Sequence, residues 1–239
     1  METFPSSVEK LGTADGVDID EIYVLQEPCH PWGDYGSILF NGLFSHPKRV
    51  NGDVGILRLQ RTGPFVPPIS FPGSGVVVVT DSMKSALLAA EFQGISFRPV
   101  EKVKIVDLPW HEWDLTATEA PQYPLYGEPE GYLMENDHSR AVSKKVGNLW
   151  EVVLNDSATV IRIQGSKRKT TFAYVPGTWN RNDLFSVREN YYVYCSPRAK
   201  AWFERYFAPW TAFSEKAETK VGVSNDGSKH QRGKRRGKI

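Results

Sequence analysis

Hydrophobic and polar positions change period several times along the chain, most clearly over residues 75–103 (GVVVVTDSMKSALLAAEFQGISFRPVEKV). Val76 to Val79 is a β-branched run too short for a helix and suits a buried strand. Thr80 or Asp81 then offers a short side-chain oxygen that can cap a helix by accepting a first-turn N–H. Ala86, Leu87, Ala90 and Glu91 keep helical spacing, with Leu88 and Phe92 beside them, and Gly94 is placed for a left-handed cap. Ile95, Phe97 and Pro99 lead into a second strand. The pattern predicts strand, helix, strand.

Upstream, residues 21–26 (EIYVLQ) form the first strand candidate and residues 54–60 (VGILRLQ) alternate as a half-buried strand should. Residues 27–36 are turn-rich, and 38–44 are a short apolar segment. Four prolines make residues 61–73 irregular by expectation, because proline removes ladder donors. Downstream, residues 149–154, 159–164 and 170–175 read as a β-meander, with turns at 155–157 and 165–167. Residues 179–185 (WNRNDLF) read as a loop. Residues 191–213 again predict strand, helix, strand, with Ser196 as N-cap and Pro197 at the first helical position. The two units overlay at a constant offset: Asp81 on Ser196, Ala86 on Ala201, Leu87 on Trp202, Leu88 on Phe203, Phe92 on Phe207 and Ile95 on Trp210. This is either an internal structural repeat or two unrelated units of a common kind.

The fold expected is α+β, strand-rich, with mixed and antiparallel sheets and two strand–helix–strand units. Residues 21–214 form one domain, with halves at 21–139 and 149–214. Residues 1–20 are expected to be a loose lead-in, and 215–239 a disordered tail. Hydrophobic residues at 40% and aromatics at 12% supply a sizeable core. Net charge is +1, but residues 215–239 hold eight Lys/Arg against three Asp/Glu, which leaves −4 on the body. Cys29 and Cys195 are the two cysteines, too few for a disulfide scaffold. Residues 1–20 lack the apolar core of a signal peptide, and no apolar run nears the ~20 residues of a membrane helix. A cytoplasmic location without membrane contact is the expectation.

Candidate chemistry is thin. Cys29-His30 is a single adjacent pair, and the other histidines are scattered, so no zinc site is expected. Adjacent side chains in extended chain also point apart, against a Cys–His catalytic pair. Residues 110–114 (WHEWD) set His111 near Glu112 and Asp114, a triplet suited to acid–base work in a hydrolase, but no nucleophile or phosphate loop accompanies it. No cofactor, metal or catalytic residue is assigned. The strongest signal is residues 105–139, with eight acidic side chains, no Lys or Arg, and interleaved aromatics. Uncompensated carboxylates favour solvent or a basic partner, and Trp and Tyr are typical anchors. The candidate partner-binding residues are Trp110, Glu112, Trp113, Asp114, Glu119, Tyr126, Glu128 and Glu130. The alternative is a solvated loop whose aromatics pack back on the body. Residues 229–238 (KHQRGKRRGK) offer phosphate contacts but no stacking platform, so a nucleic-acid partner is disfavoured.

Two stretches carry a family likeness. Residues 61–80 (RTGPFVPPISFPGSGVVVVT), running on to Phe97, and a W-x-x-x-D-L-F loop at 179–185 followed by residues 191–213, together cover about a third of the chain. They resemble bacterial immunity-type proteins of the Imm11-like group and the myxobacterial double-CXXCG paralogues. The CXXCG motifs are absent, since Cys29 has no cysteine three residues on, and any metal role attached to them does not carry over. The resemblance implies an immunity protein that binds a cognate toxin stoichiometrically in the cytoplasm of the producing cell and catalyses nothing. A basic toxin would suit the acidic segment.

Overall fold

The computed structural model describes residues 22–47, 54–164, 170–175 and 177–214. The expected lead-in, the turn at 165–167 and the basic tail lie outside the described residues. The fold is α+β.

Strand β1 (Tyr23–Gln26) leads to helix α1 (Asp34–Asn41) and strand β2 (Leu43–Ser45). Strands β3 (Arg58–Gly63), β4 (Ile69–Gly73) and β5 (Val76–Thr80) follow, then helix α2 (Asp81–Ala89) and strands β6 (Ile95–Pro99) and β7 (Glu101–Asp107). Short helices α3 (Gly131–Glu135) and α4 (Arg140–Val146) precede β8 (Leu149–Leu154), β9 (Val160–Gln164), β10 (Thr170–Tyr174) and β11 (Leu184–Phe185). Strand β12 (Val193–Cys195), helix α5 (Pro197–Tyr206) and strand β13 (Ala212–Ser214) complete the described chain.

Two four-stranded sheets share one plan. In the first, ordered β4-β5-β8-β6, strands β5 and β6 flank β8 and run antiparallel to it. In the second, ordered β11-β12-β1-β13, strands β12 and β13 flank β1 in the same way. In each, a strand–helix–strand unit embraces a central strand taken from elsewhere in the chain. The central strand of the first sheet comes from the C-terminal half, and that of the second from the N-terminal half. The expected halves at 21–139 and 149–214 are therefore interleaved. The expected meander is corrected too: β8 leaves β9 and inserts between β5 and β6, while β9 pairs with β10 alone.

The helix caps set the register of the repeat. Thr80 Oγ1 accepts the Met83 N–H, and Ser196 Oγ accepts the Ala199 N–H. Aligning the caps places Met83 on Ala199 and Leu87 on Phe203, and all four are buried. The sequence overlay is thus one residue out, since it set Leu88, which is 57% exposed, on buried Phe203. Both helices and both sheets close on one core containing Val77, Val79, Met83, Leu87, Trp202 and Phe203. Val78 faces the other way, onto Leu57, Leu59 and Leu149 beneath the third sheet, β2-β3-β7. Burial on both faces explains the valine run, with Val77, Val78 and Val79 each contributing roughly 1.5 kcal/mol or more.

The proline-rich stretch is less irregular than expected. Pro64, Pro67 and Pro68 fall between β3 and β4, and Pro72 sits where the β4–β5 register shifts, so no ladder bond needs its missing N–H. Residues 179–185, expected to be a loop throughout, end in β11 because Leu184 and Phe185 pair with β12, and the loop before that strand docks on the end of the α2–β6 turn. Gly94 lies there at φ +89, and a Cβ on it would stand 2.5 Å from the Leu184 carbonyl oxygen. Asp183 accepts from Gln93 N–H (3.0 Å), Ser196 Oγ (2.9 Å) and Arg198 Nε (2.9 Å). Arg198 also donates to the Ala90 and Glu91 carbonyls, so the α5 N-terminus grips the end of α2. Arg61 is wholly buried, donates to the Phe40 and Thr62 carbonyls and Ser70 Oγ, and fixes α1 against β3 and β4. Burial pushes its guanidinium down to about 9.

Candidate functional site

The acidic segment leaves β7 after Asp107 and returns at Ser139. The two ends close on one residue: Ile105 N–H donates to His138 Nδ1 (2.9 Å), and its carbonyl accepts the Ser139 N–H (2.8 Å). Between them the chain makes a 3₁₀ turn at Trp110–Glu112, an irregular course, and the five-residue α3. Excursions of this length with so little regular structure are uncommon in compact domains and are usually functional.

Aromatic residues anchor its inner side. Trp110 is 1% exposed and packs with Tyr35, Leu39 and Phe40 of α1, its ring 4.2 Å from that of Phe40. Trp113 and Tyr132 are half-buried against the same cluster, and Trp32 Nε1 donates to the Ala117 carbonyl (3.0 Å). The aromatics are thus divided. Trp110, expected as a partner anchor, is 1% exposed and packs inward, where it holds the loop on α1. Tyr126 and Leu125 face outward at 80% exposure, with Tyr123 exposed near them. Leu125 was not anticipated, because an irregular loop has no period to separate inner from outer positions.

The carboxylates lie on the outer side. Glu112, Asp114, Glu119 and Glu128 are exposed, as are Asp107, Glu135 and Asp137, and Glu130 is half-buried. Among the described residues none of the eight is ion-paired with Lys or Arg. Asp114 turns back on its own loop: one of its oxygens accepts from Thr116 N–H (2.9 Å) and Thr116 Oγ1 (2.6 Å). These bonds hold its carboxyl below the ordinary range.

Beside the loop lies a groove of about 610 Å³. Phe65, Val66 and Pro68 of the proline-rich stretch form one wall, and Tyr206, Pro209 and Trp210 at the end of α5 form another. Thr80 and Ser82 lie at the α2 end, and Trp110, His111 and Leu115 at the loop end. His111 stacks on Phe65 (4.9 Å between centroids, 19° between planes). The structure separates the expected triplet. His111 enters the groove, Glu112 stays outside with Oε1 4.0 Å from His111 Nε2, and Asp114 is taken up by Thr116. Phe65 is far in sequence from Tyr206 and Trp210, and no local signal marks it as their neighbour.

The Cys29-His30 pair behaves as extended chain does. Cys29 is an exposed free thiol, whereas the His30 side chain is 5% exposed and its ring lies 4.2 Å from that of Phe40. Glu27 accepts from Ser37 Oγ and Asn41 Nδ2 and lies 3.3 Å from His30 Nε2. His30, more than any other group, holds the Glu27 carboxyl below its ordinary value. Asn41 Oδ1 accepts the Phe71 N–H, so the cluster ties the loop after β1 to α1 and β4. Cys195 is buried, and burial pushes its thiol up. Among the described residues no group of three or more His, Cys, Asp or Glu side chains is placed to hold a metal ion, and no helix is long and apolar enough to cross a membrane. Comparison with known proteins gave no matching family model and no matching curated protein.

Proposed function

We propose that this chain is a binding protein whose partner is a basic protein, and that the partner is a toxin it neutralises by stoichiometric association in the cytoplasm. The observation that carries the reading is the loop 108–138. Its aromatic inner side is fixed to α1, and its outer side presents carboxylates that, among the described residues, are not ion-paired with Lys or Arg, on the loop that also exposes Leu125 and Tyr126. A preorganised acidic surface that also offers apolar contacts is suited to steering a basic partner and then holding it. The resemblance of residues 61–80, 179–185 and 191–213 to immunity-type proteins is the reason for proposing a toxin as that partner.

The test is coexpression with the toxin encoded beside this gene. Cells should survive only with this protein present, and the two proteins should co-purify at one to one. Death of the cells together with absence of binding overturns the reading. Within the complex, Glu128→Lys/Glu130→Lys should slow association about tenfold at low salt and much less at high salt. An unchanged rate removes that pair from the interface.

A further inference from the structure

The groove beside the acidic loop has walls and a rim of different chemistry. Its walls are mainly apolar and aromatic: the Phe65 ring stands 5.3 Å from that of Trp110, 5.8 Å from that of Trp210, and flat against His111. Its rim carries a carboxylate at the loop end: Glu112 is exposed, 4.0 Å from the His111 ring that lines the groove. A carboxylate ligand would be repelled at that point, and a purely apolar one would leave Glu112 unused. A cation on an apolar stem satisfies both parts.

We propose that this groove receives an arginine side chain from the basic protein partner. The inference rests on the partner reading above and adds where one of its side chains goes. The methylene stem packs along Val66, Pro68 and Leu115. The guanidinium lies over the aromatic faces and reaches the Glu112 carboxylate. Arginine suits the site better than lysine because its planar group is weakly hydrated, stacks on rings and meets a carboxylate with two parallel N–H bonds.

The test titrates the full chain with hexa-arginine and hexa-lysine peptides at about 0.15 M salt, by calorimetry. Hexa-arginine should bind about fivefold more tightly than hexa-lysine. Phe65→Leu, which keeps the apolar bulk and removes the ring face, should bring the ratio close to one while hexa-lysine affinity and the circular dichroism spectrum stay unchanged. If Phe65→Leu does not fold, His111→Leu takes its place, with the same loss expected. Equal affinities in the wild-type chain, no binding of either peptide, or a preference that survives in a folded variant overturns the inference. Equal affinities that both fall in Glu128→Lys/Glu130→Lys would remove the groove from the interface and leave the acidic partner surface standing. Failed protection from the toxin alongside a retained arginine preference would do the reverse.

Discussion

Replacing Asp183 should show that the loop leading into β11 is a structural clasp. Its side chain is 8% exposed and accepts from Ser196 Oγ, Arg198 and the Gln93 N–H. Asp183→Ala leaves the Arg198 guanidinium without its carboxylate and the Gln93 N–H without its acceptor. Breaking a buried pair on one side costs about 3–5 kcal/mol. Arg198 is 32% exposed and retains the Ala90 and Glu91 carbonyls, so solvent screening places the expected loss at the low end, about 3 kcal/mol. For a domain of this size that corresponds to a fall of roughly 6–12 °C in Tm. Asp183→Asn keeps the volume and one acceptor and should lose about half as much, mostly through the charge. The assay is urea unfolding at pH 7, followed by tryptophan fluorescence and circular dichroism. In a double-mutant cycle, Arg198→Ala should cost markedly less in the Asp183→Ala background than in the wild-type chain. A loss under about 1 kcal/mol for Asp183→Ala, or strictly additive effects, would refute the clasp.

Other expectations are simpler to check. A thiol reagent at pH 8 should label Cys29 and spare Cys195 in the native protein, and label both in denaturant, by mass spectrometry. Gly36→Ala should destabilise by about 3 kcal/mol, because a Cβ there would stand 1.8 Å from the Pro31 carbonyl oxygen; equilibrium unfolding reads this directly. The depressed Glu27 carboxyl adds stability that is complete above the ordinary carboxylate range and is lost as pH falls through its lowered value. Glu27→Gln should therefore flatten the acid side of a plot of urea midpoint against pH.

Local chemistry made part of the fold legible. The valine run announces β5, and Ser196-Pro197 announces α5, because a β-branched run and a cap with proline act within a few residues. Helix α1 gave no such signal: it starts after Gly33 without a side-chain cap and contains Gly36, so its residues read only as the end of a turn-rich stretch and a short apolar segment. Helix α4 has readable ends in Ser139 and Gly147, obscured by the acidic stretch that runs into it. The place of β8 between β5 and β6 was out of reach, since strand pairing is decided between distant segments. The same limit applies to the site. The excess of charge at 105–139 is visible in composition alone. The inward turn of Trp110, the outward turn of Leu125, and the meeting of Phe65 with Trp210 depend on packing across the chain.

The exchange of central strands dictates how the protein can be made. Tyr23 is hydrogen-bonded across the ladder to the strand that holds Cys195, so β1 must wait for nearly the whole chain before its sheet exists. The first sheet in turn cannot close until β8 has been synthesised. Folding is thus governed by contacts of long sequence separation, which are slow to form, and no early-emerging portion holds a finished core. Cutting the chain between its repeats would release two fragments that each lack the middle of a sheet, so the acidic loop cannot be isolated with its scaffold by truncation.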